Sequence, residues 1–208
     1  MQTNCHIYIV DDDDSMRVSL ERAFARTGHE IHAFESAQLF LNHSPLTTPA
    51  VLVLDMSMPG MTGLQLQQEL MMKRANIPII FISGDSEKVD IIQGMKNGAS
   101  DFLLKPFPLN QLLLAVENAL NLELEKEKSR GSQRASLEAY GRLTYREKEV
   151  FALLVQGKMS KEVAELLDIT PATVKIFKAN VMKKMGVDSI ADLVQISIAN
   201  QLQSEPKT

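Results

Sequence analysis

The chain has 208 residues with a formal net charge of −4, enough length for two domains that each bury a core. Its single cysteine, Cys5, excludes a disulfide framework and has only His6 beside it as a zinc-type neighbour. No apolar stretch approaches the roughly 20 residues of a bilayer span, and the N-terminus lacks the basic region and apolar core of a signal peptide, so a cytoplasmic protein without a membrane role is expected. The charge is uneven. Residues 1–120 carry 8 Lys/Arg against 14 Asp/Glu, whereas residues 121–208 carry 14 against 12, so the first part suits a metal and the second an anion.

Short β-rich runs alternate with helical patterns from residue 6 to about 120, with strands expected at 6–10, 30–34, 51–54, 78–82 and 101–104. Five strand-helix units imply a doubly wound parallel sheet. Val51–Leu54 and Ile79–Ile82 are apolar without alternation, as central strands covered on both faces must be. Residues 109–128 form a long helix that becomes charged at its end, and Ser129–Ala139, rich in Ser, Arg and Gly, reads as a linker. Four helical segments follow. Thr144 and Glu147 form a capping box opening a helix that runs to Gly157, Ser160 caps a second through Leu167, and Thr170-Pro171 heads a third that Gly186 closes. Ser189–Ala199 supplies the fourth, and the break Asp168-Ile169-Thr170 has helix-turn-helix length.

Four acids, Asp11 to Asp14, directly follow Ile7-Tyr8-Ile9-Val10, and Asp55 ends the third strand. The ligand crevice of an open parallel sheet lies at the carboxyl ends of its strands, so these acids converge and repel unless a cation joins them. A hard, oxygen-seeking ion such as Mg²⁺ fits. The plainer alternative, an acidic cap on the next helix through Asp14-Ser15, accounts for at most two of the four. Ser83 and Lys105 stand at the ends of the fourth and fifth strands. Phosphoryl transfer to a carboxylate needs an in-line nucleophile, a bridging divalent ion and further donors for the remaining charge. Asp55 would be the nucleophile, Asp11 and Asp12 would hold Mg²⁺ with it, Lys105 would neutralise phosphoryl charge and Ser83 would hydrogen-bond an oxygen.

On a helical wheel Val174, Phe177, Val181 and Met185 form an apolar stripe, opposite Ala172, Lys175, Ile176, Ala179 and Lys183. Small residues permit close approach to DNA, lysines meet phosphates or guanine edges, and an outward Ile or Ala suits a thymine methyl. Thr170–Gly186 holds four lysines and no acid. By charge alone, a solvated cationic face is an equal alternative.

Val10-Asp11-Asp12, Asp55-Met-Ser-Met-Pro-Gly-Met-Thr-Gly63, Ser83-Gly84 and Lys105-Pro106-Phe107 together resemble the receiver domain of two-component response regulators over residues 6 to about 120. The resemblance implies a flavodoxin-like fold, phosphorylation of Asp55 by a sensor histidine kinase, a Ser57 backbone carbonyl completing the Mg²⁺ site, and a cis Lys105-Pro106 bond. It also makes Phe102 an aromatic switch, although Phe102 equally reads as ordinary core, and leaves Asp13 and Asp14 as helix-start acids. Leu143–Val150, Gly157–Ala164, Thr173–Ile176 and Lys183–Gly186 resemble the LuxR-type helix-turn-helix that ends NarL/FixJ regulators, with Tyr145 and Phe177 departing from the pattern. That match implies base reading by Lys175, Ile176 and Ala179 and phosphate contacts from Thr173 and Lys178, with Lys183 on the same surface. The last helix, with Ile190, Leu193, Val194 and Ile198, either pairs two copies or is core.

The expected organisation is a receiver over 1–122, a helical or flexible linker over 123–139 and an all-α DNA-binding domain over 140–208. The expected function is a FixJ-like transcription regulator, a phosphoryl acceptor with no enzymatic turnover beyond its own phosphorylation and dephosphorylation. Its expected partners are the kinase, double-stranded DNA, RNA polymerase and a second copy of itself. Two rivals stay open: an Mg²⁺-dependent phosphatase or transferase working through an aspartyl phosphate, and a receiver whose C-terminal helices bind protein instead of DNA.

Overall fold

The computed structural model describes residues 4–43, 45–84 and 88–202. Five strands, β1 (His6–Val10), β2 (Glu30–Phe34), β3 (Ala50–Asp55), β4 (Ile79–Ser83) and β5 (Asp101–Leu104), pair in parallel in the order β2-β1-β3-β4-β5. This is the expected doubly wound sheet with its strands in the expected places. Between and after them lie α1 (Asp14–Phe24), α2 (Ala37–Asn42), α3 (Gly63–Met72), α4 (Lys88–Lys96) and α5 (Leu109–Gly141).

Alternation along the strands sends side chains to two separate cores. Ile7, Ile9, Val51, Val53, Ile80 and Ile82 meet Leu20 and Phe24 of α1 and Leu112, Val116 and Leu120 of α5. On the other face Tyr8, Val10, Leu52, Leu54 and Phe81 meet Phe40 of α2 and Leu66 and Leu70 of α3. Because β1, β3 and β4 are covered on both sides, every one of their residues is buried, which is why their sequences carry no polar alternation.

The long helix runs past its expected end at residue 128: α5 continues unbroken to Gly141, so the segment expected as a helical or flexible linker is helical. Its segment 128–138 is almost wholly exposed and is held by backbone hydrogen bonding and pairs such as Arg134 Nε to Glu138 Oε1 at 3.2 Å. Gln133, Arg134, Ala135, Leu137 and Glu138 are good helix formers that outweigh the roughly 1 kcal/mol penalty of Gly131. The chain divides into two compact units between Glu127 and Lys128.

The second unit contains α6 (Tyr145–Val155), α7 (Ser160–Leu166), α8 (Pro171–Met185) and α9 (Ile190–Ala199). Val150, Phe151, Leu154, Val163, Val174, Val181, Met185 and Leu193 form its core. Thr144 and Glu147 make the expected capping box, and Gly186 ends α8 at φ +67°. The start of α7 shifts by one residue: Met159, not Ser160, is the N-cap. Met159 has no side-chain oxygen to cap with, and instead its own N–H donates to Glu162 Oε2 at 2.7 Å. The turn after α7 carries Asp168 at φ +51°. There the Ile169 N–H donates to the Ala164 carbonyl at 3.0 Å, closing α7 with Asp168 in the left-handed position usually held by glycine.

Candidate functional sites

Parallel register fixes the first site. Asp11 follows β1, Asp55 ends β3, Ser83 ends β4 and Lys105 follows β5, so all four stand at the carboxyl edge of the sheet. Asp11, Asp55 and Ser83 are buried. The Lys105 ammonium reaches both acids, 2.8 Å from Asp11 Oδ2 and 2.8 Å from Asp55 Oδ1. The Ser57 N–H donates to Asp55 Oδ2 at 2.9 Å, and the Asp13 N–H donates to Asp11 Oδ1 at 2.8 Å. The Lys105 N–H donates to the Ser83 carbonyl at 2.7 Å, tying the β4 and β5 ends together. Lys105-Pro106 is cis, as expected, and Thr48-Pro49 is also cis, which no sequence feature announced.

Two buried carboxylates sharing one ammonium leave the site with excess negative charge. Burial pushes the Asp55 carboxyl above its ordinary range, with Asp11 adding to the rise and Lys105 and the Ser57 N–H opposing it. Burial alone would lower Lys105, but its hydrogen bonds to Asp11 and Asp55 prevail and hold the ammonium above its usual value.

The four consecutive acids have four different positions. Asp11 lies within the site, and Asp12 is exposed and lines an open cavity with Ser57, Pro59 and Thr62. The helix cap is Asp13, which accepts from the N–H groups of Ser15 and Met16, and Asp14 pairs with Arg17 at 2.7 Å. The expectation of Asp14-Ser15 as the cap is thereby moved one residue toward the N-terminus.

Asp11, Asp12 and Asp55 offer hard carboxylate oxygens suited to Mg²⁺. Among the described residues, however, the only trio of metal-ligating side chains with ligand atoms within 4.8 Å of one another is His6, Glu30 and His32. Asp11, Asp12 and Asp55 do not form such a trio: Lys105 joins Asp11 and Asp55, and Asp12 lines the cavity beside Ser57. Phe102 is partly buried against the Tyr8–Phe81 core.

One contributor to the site, Arg17, went unread in the sequence, and another, Gly63, was read as part of a motif without its steric role. Arg17 Nη1 donates to the Asp11 carbonyl at 2.8 Å, bracing the turn after β1. Gly63 opens α3 so close to Asp55 that a Cβ there would lie 2.4 Å from the Asp55 carbonyl oxygen, so only glycine fits.

In the second unit Val174, Val181 and Met185 are buried, while Lys175, Ile176, Ala179 and Lys183 are exposed, Ile176 at 62%. The wheel reading of α8 thus matches its burial, with Phe177 only half-buried. Thr173 and Lys178 are also half-buried, and the Thr173 hydroxyl lies 2.8 Å from that of Thr170. Lys184, in the last turn of α8, is held away from this surface by Glu147, whose Oε2 lies 2.6 Å from its Nζ. This pair and the cap hydrogen bond from the Thr144 N–H depress the Glu147 carboxyl below its ordinary range.

Residues 7–117 match the response regulator receiver domain family, and residues 142–197 match the luxR family of bacterial regulatory proteins. The chain belongs to the two-component response regulators that join a receiver to a LuxR-type helix-turn-helix. This response regulator is 40% identical to the response regulator protein TmoT of Ectopseudomonas mendocina over 192 residues, 92% of this chain and 87% of TmoT. It is 33% identical to the transcriptional regulatory protein FixJ of Bradyrhizobium diazoefficiens, covering 95% of this chain and 97% of FixJ. Among solved structures, the response regulator StyR aligns with a TM-score of 0.82 at 37% identity, covering 94% of this chain and 99% of StyR. This response regulator is therefore a transcription regulator with a DNA-binding domain, and a histidine kinase and DNA are its implied partners.

Proposed function

We propose that Mg²⁺-dependent phosphorylation of Asp55 by the sensor kinase shifts the receiver, promotes pairing of two copies and strengthens sequence-specific binding to DNA. The observation that carries this reading is the Lys105 ammonium at 2.8 Å from both Asp11 and Asp55. A carboxylate held by a fixed cation at the mouth of a parallel sheet is prepared for an incoming phosphoryl group.

An Asp55 carboxylate oxygen attacks the phosphorus of the kinase's phosphohistidine, the P–N bond breaks, and the electron pair leaves with the imidazole. Lys105 meets the phosphoryl charge as it arrives, and the Ser83 hydroxyl donates to a phosphoryl oxygen. Asp11, Asp12, Asp55 and the Ser57 carbonyl would hold Mg²⁺, which supplies charge neutralisation for phosphoryl transfer when bound. Movement of Ser83 toward the phosphoryl group and a turn of Phe102 carry the change to the surface where copies pair. A ligand shifts a two-state equilibrium only by its differential affinity, so the phosphoryl group must distinguish the two receiver states by several kcal/mol to act as a switch.

On DNA, Lys175, Ile176 and Ala179 read bases, while Thr173, Lys178 and Lys183 hold the backbone. The protein works in the cytoplasm, recruits or blocks RNA polymerase, and turns over no substrate beyond its own aspartyl phosphate. The test is selection of DNA sites by the purified protein, with and without a small phosphoryl donor and Mg²⁺, beside Asp55→Asn. A two-part site enriched more strongly with the donor in wild type alone supports the reading. Phosphoryl-dependent affinity that survives Asp55→Asn sinks it.

A further inference from the structure

The chain contains four histidines, none of which belongs to the phosphoryl or DNA-binding sites. Two of them meet a glutamate at the other end of the sheet. Parallel pairing of β1 with β2 sets His6 beside Glu30 and Tyr8 beside His32. Because strand side chains alternate, His6, Tyr8, Glu30 and His32 project from one face. His6 Nδ1 lies 3.2 Å from His32 Nε2. Glu30 divides its carboxylate between them, Oε2 at 3.7 Å from His6 and Oε1 at 3.6 Å from His32.

Two imidazole nitrogens this close either share one proton or hold one cation. Ligands about 2.0–2.1 Å from a tetrahedral Zn²⁺ stand about 3.3 Å apart, near the spacing of this trio. Two nitrogens and one carboxylate oxygen favour an ion of borderline softness over Mg²⁺, which seeks oxygen alone. The ring orientations are already fixed: Tyr8 stacks on His32 with centroids 4.9 Å apart, and the His43 ring lies 5.4 Å from that of His32. Glu30 is half-exposed, so an ion can enter from solvent.

We propose that His6, His32 and Glu30 bind one divalent ion of the Zn²⁺ class, clamping β1 to β2 at the amino ends of the strands. The site lies a strand's length from Asp55, about 15 Å for five residues.

The test is calorimetric titration of ZnCl₂ into full-length, tag-free, chelator-stripped protein at pH 7.5 with MgCl₂ in excess, so that the acidic crevice is not scored. Uptake of about one equivalent at micromolar affinity is expected, weakened at least about tenfold in both His32→Gln and Glu30→Gln and unchanged in Asp55→Asn. Because metal and protons compete for the imidazoles, uptake should fall off toward about pH 5.5. Glu30→Gln alters a half-exposed side chain and keeps the test decisive if His32→Gln fails to fold. No Zn²⁺ uptake by folded wild type, uptake that folded variants retain in full, or uptake abolished by Asp55→Asn would each overturn the proposal.

Discussion

At the scale of single residues, Asp55 is held against its own ionisation. Its carboxyl is raised above the ordinary value by burial and by Asp11. A carboxyl with a raised folded-state pKa favours folding when protonated, and that contribution is lost as pH rises through the folded pKa. Ionised Asp55 therefore works against stability at neutral pH. Asp55→Asn keeps the shape and leaves a balanced Asp11–Lys105 pair, so it should stabilise the receiver by about 1 kcal/mol near pH 7. The difference should close as pH falls and wild-type Asp55 takes up its proton. Thermal unfolding of both proteins across pH 4–8 checks this, and an Asn variant less stable at pH 7 would contradict it.

Among the elements, the α6–α8 junction depends on Glu147, which both caps α6 and pairs with Lys184. Its carboxyl is depressed by the Lys184 hydrogen bond and by the Thr144 N–H. Stability from this group is present above the ordinary glutamate pKa and lost as pH falls through the depressed value. Glu147→Gln keeps the capping-box acceptor but loses the ion pair with Lys184, so it should destabilise the second unit by about 1 kcal/mol at pH 7, with a smaller deficit in acid, as unfolding at pH 7 and pH 3 would show. The outer side of α8 yields a second expectation. Lys175→Ala should weaken binding to the selected site by about 1–3 kcal/mol and relax base preference at one position, whereas Lys178→Ala should weaken all sequences alike and reduce the salt slope by about one. Affinity measured against several sites over a salt series separates the two, and equal losses on every sequence for both variants would remove Lys175 from base reading.

Legibility in the sequence varied by element for physical reasons. Strands with no polar position, such as Val51–Leu54, announce burial on both faces, and Thr144, Thr170 and Gly186 announce helix ends through their chemistry. Over segment 129–139 the sequence left helix and flexible chain undecided, because a solvent-exposed helix has no apolar stripe to reveal it and shares its composition with a loose linker. Asp168 was silent because a non-glycine residue at positive φ leaves no local mark. The Lys105 bridge could be placed from strand ends alone. The His6–Glu30–His32 cluster could not, since it exists only through the register of two strands.

For the whole molecule, the order β2-β1-β3-β4-β5 has a consequence in time. Every strand hydrogen bond in the first unit joins residues far apart in the chain, such as His6 with Ala50, while the second unit is all helix, with backbone hydrogen bonds that close within four residues. Folding slows as contacts become less local. Stopped-flow refolding of the full chain should therefore resolve two phases, a fast one reporting the C-terminal helices and a slower one reporting the sheet; coincident rates would argue against it. On the ribosome the first strand made becomes an inner one, with no partner on either side until β2 and then β3 emerge. The half of the molecule synthesised first is thus the half that waits longest for its contacts.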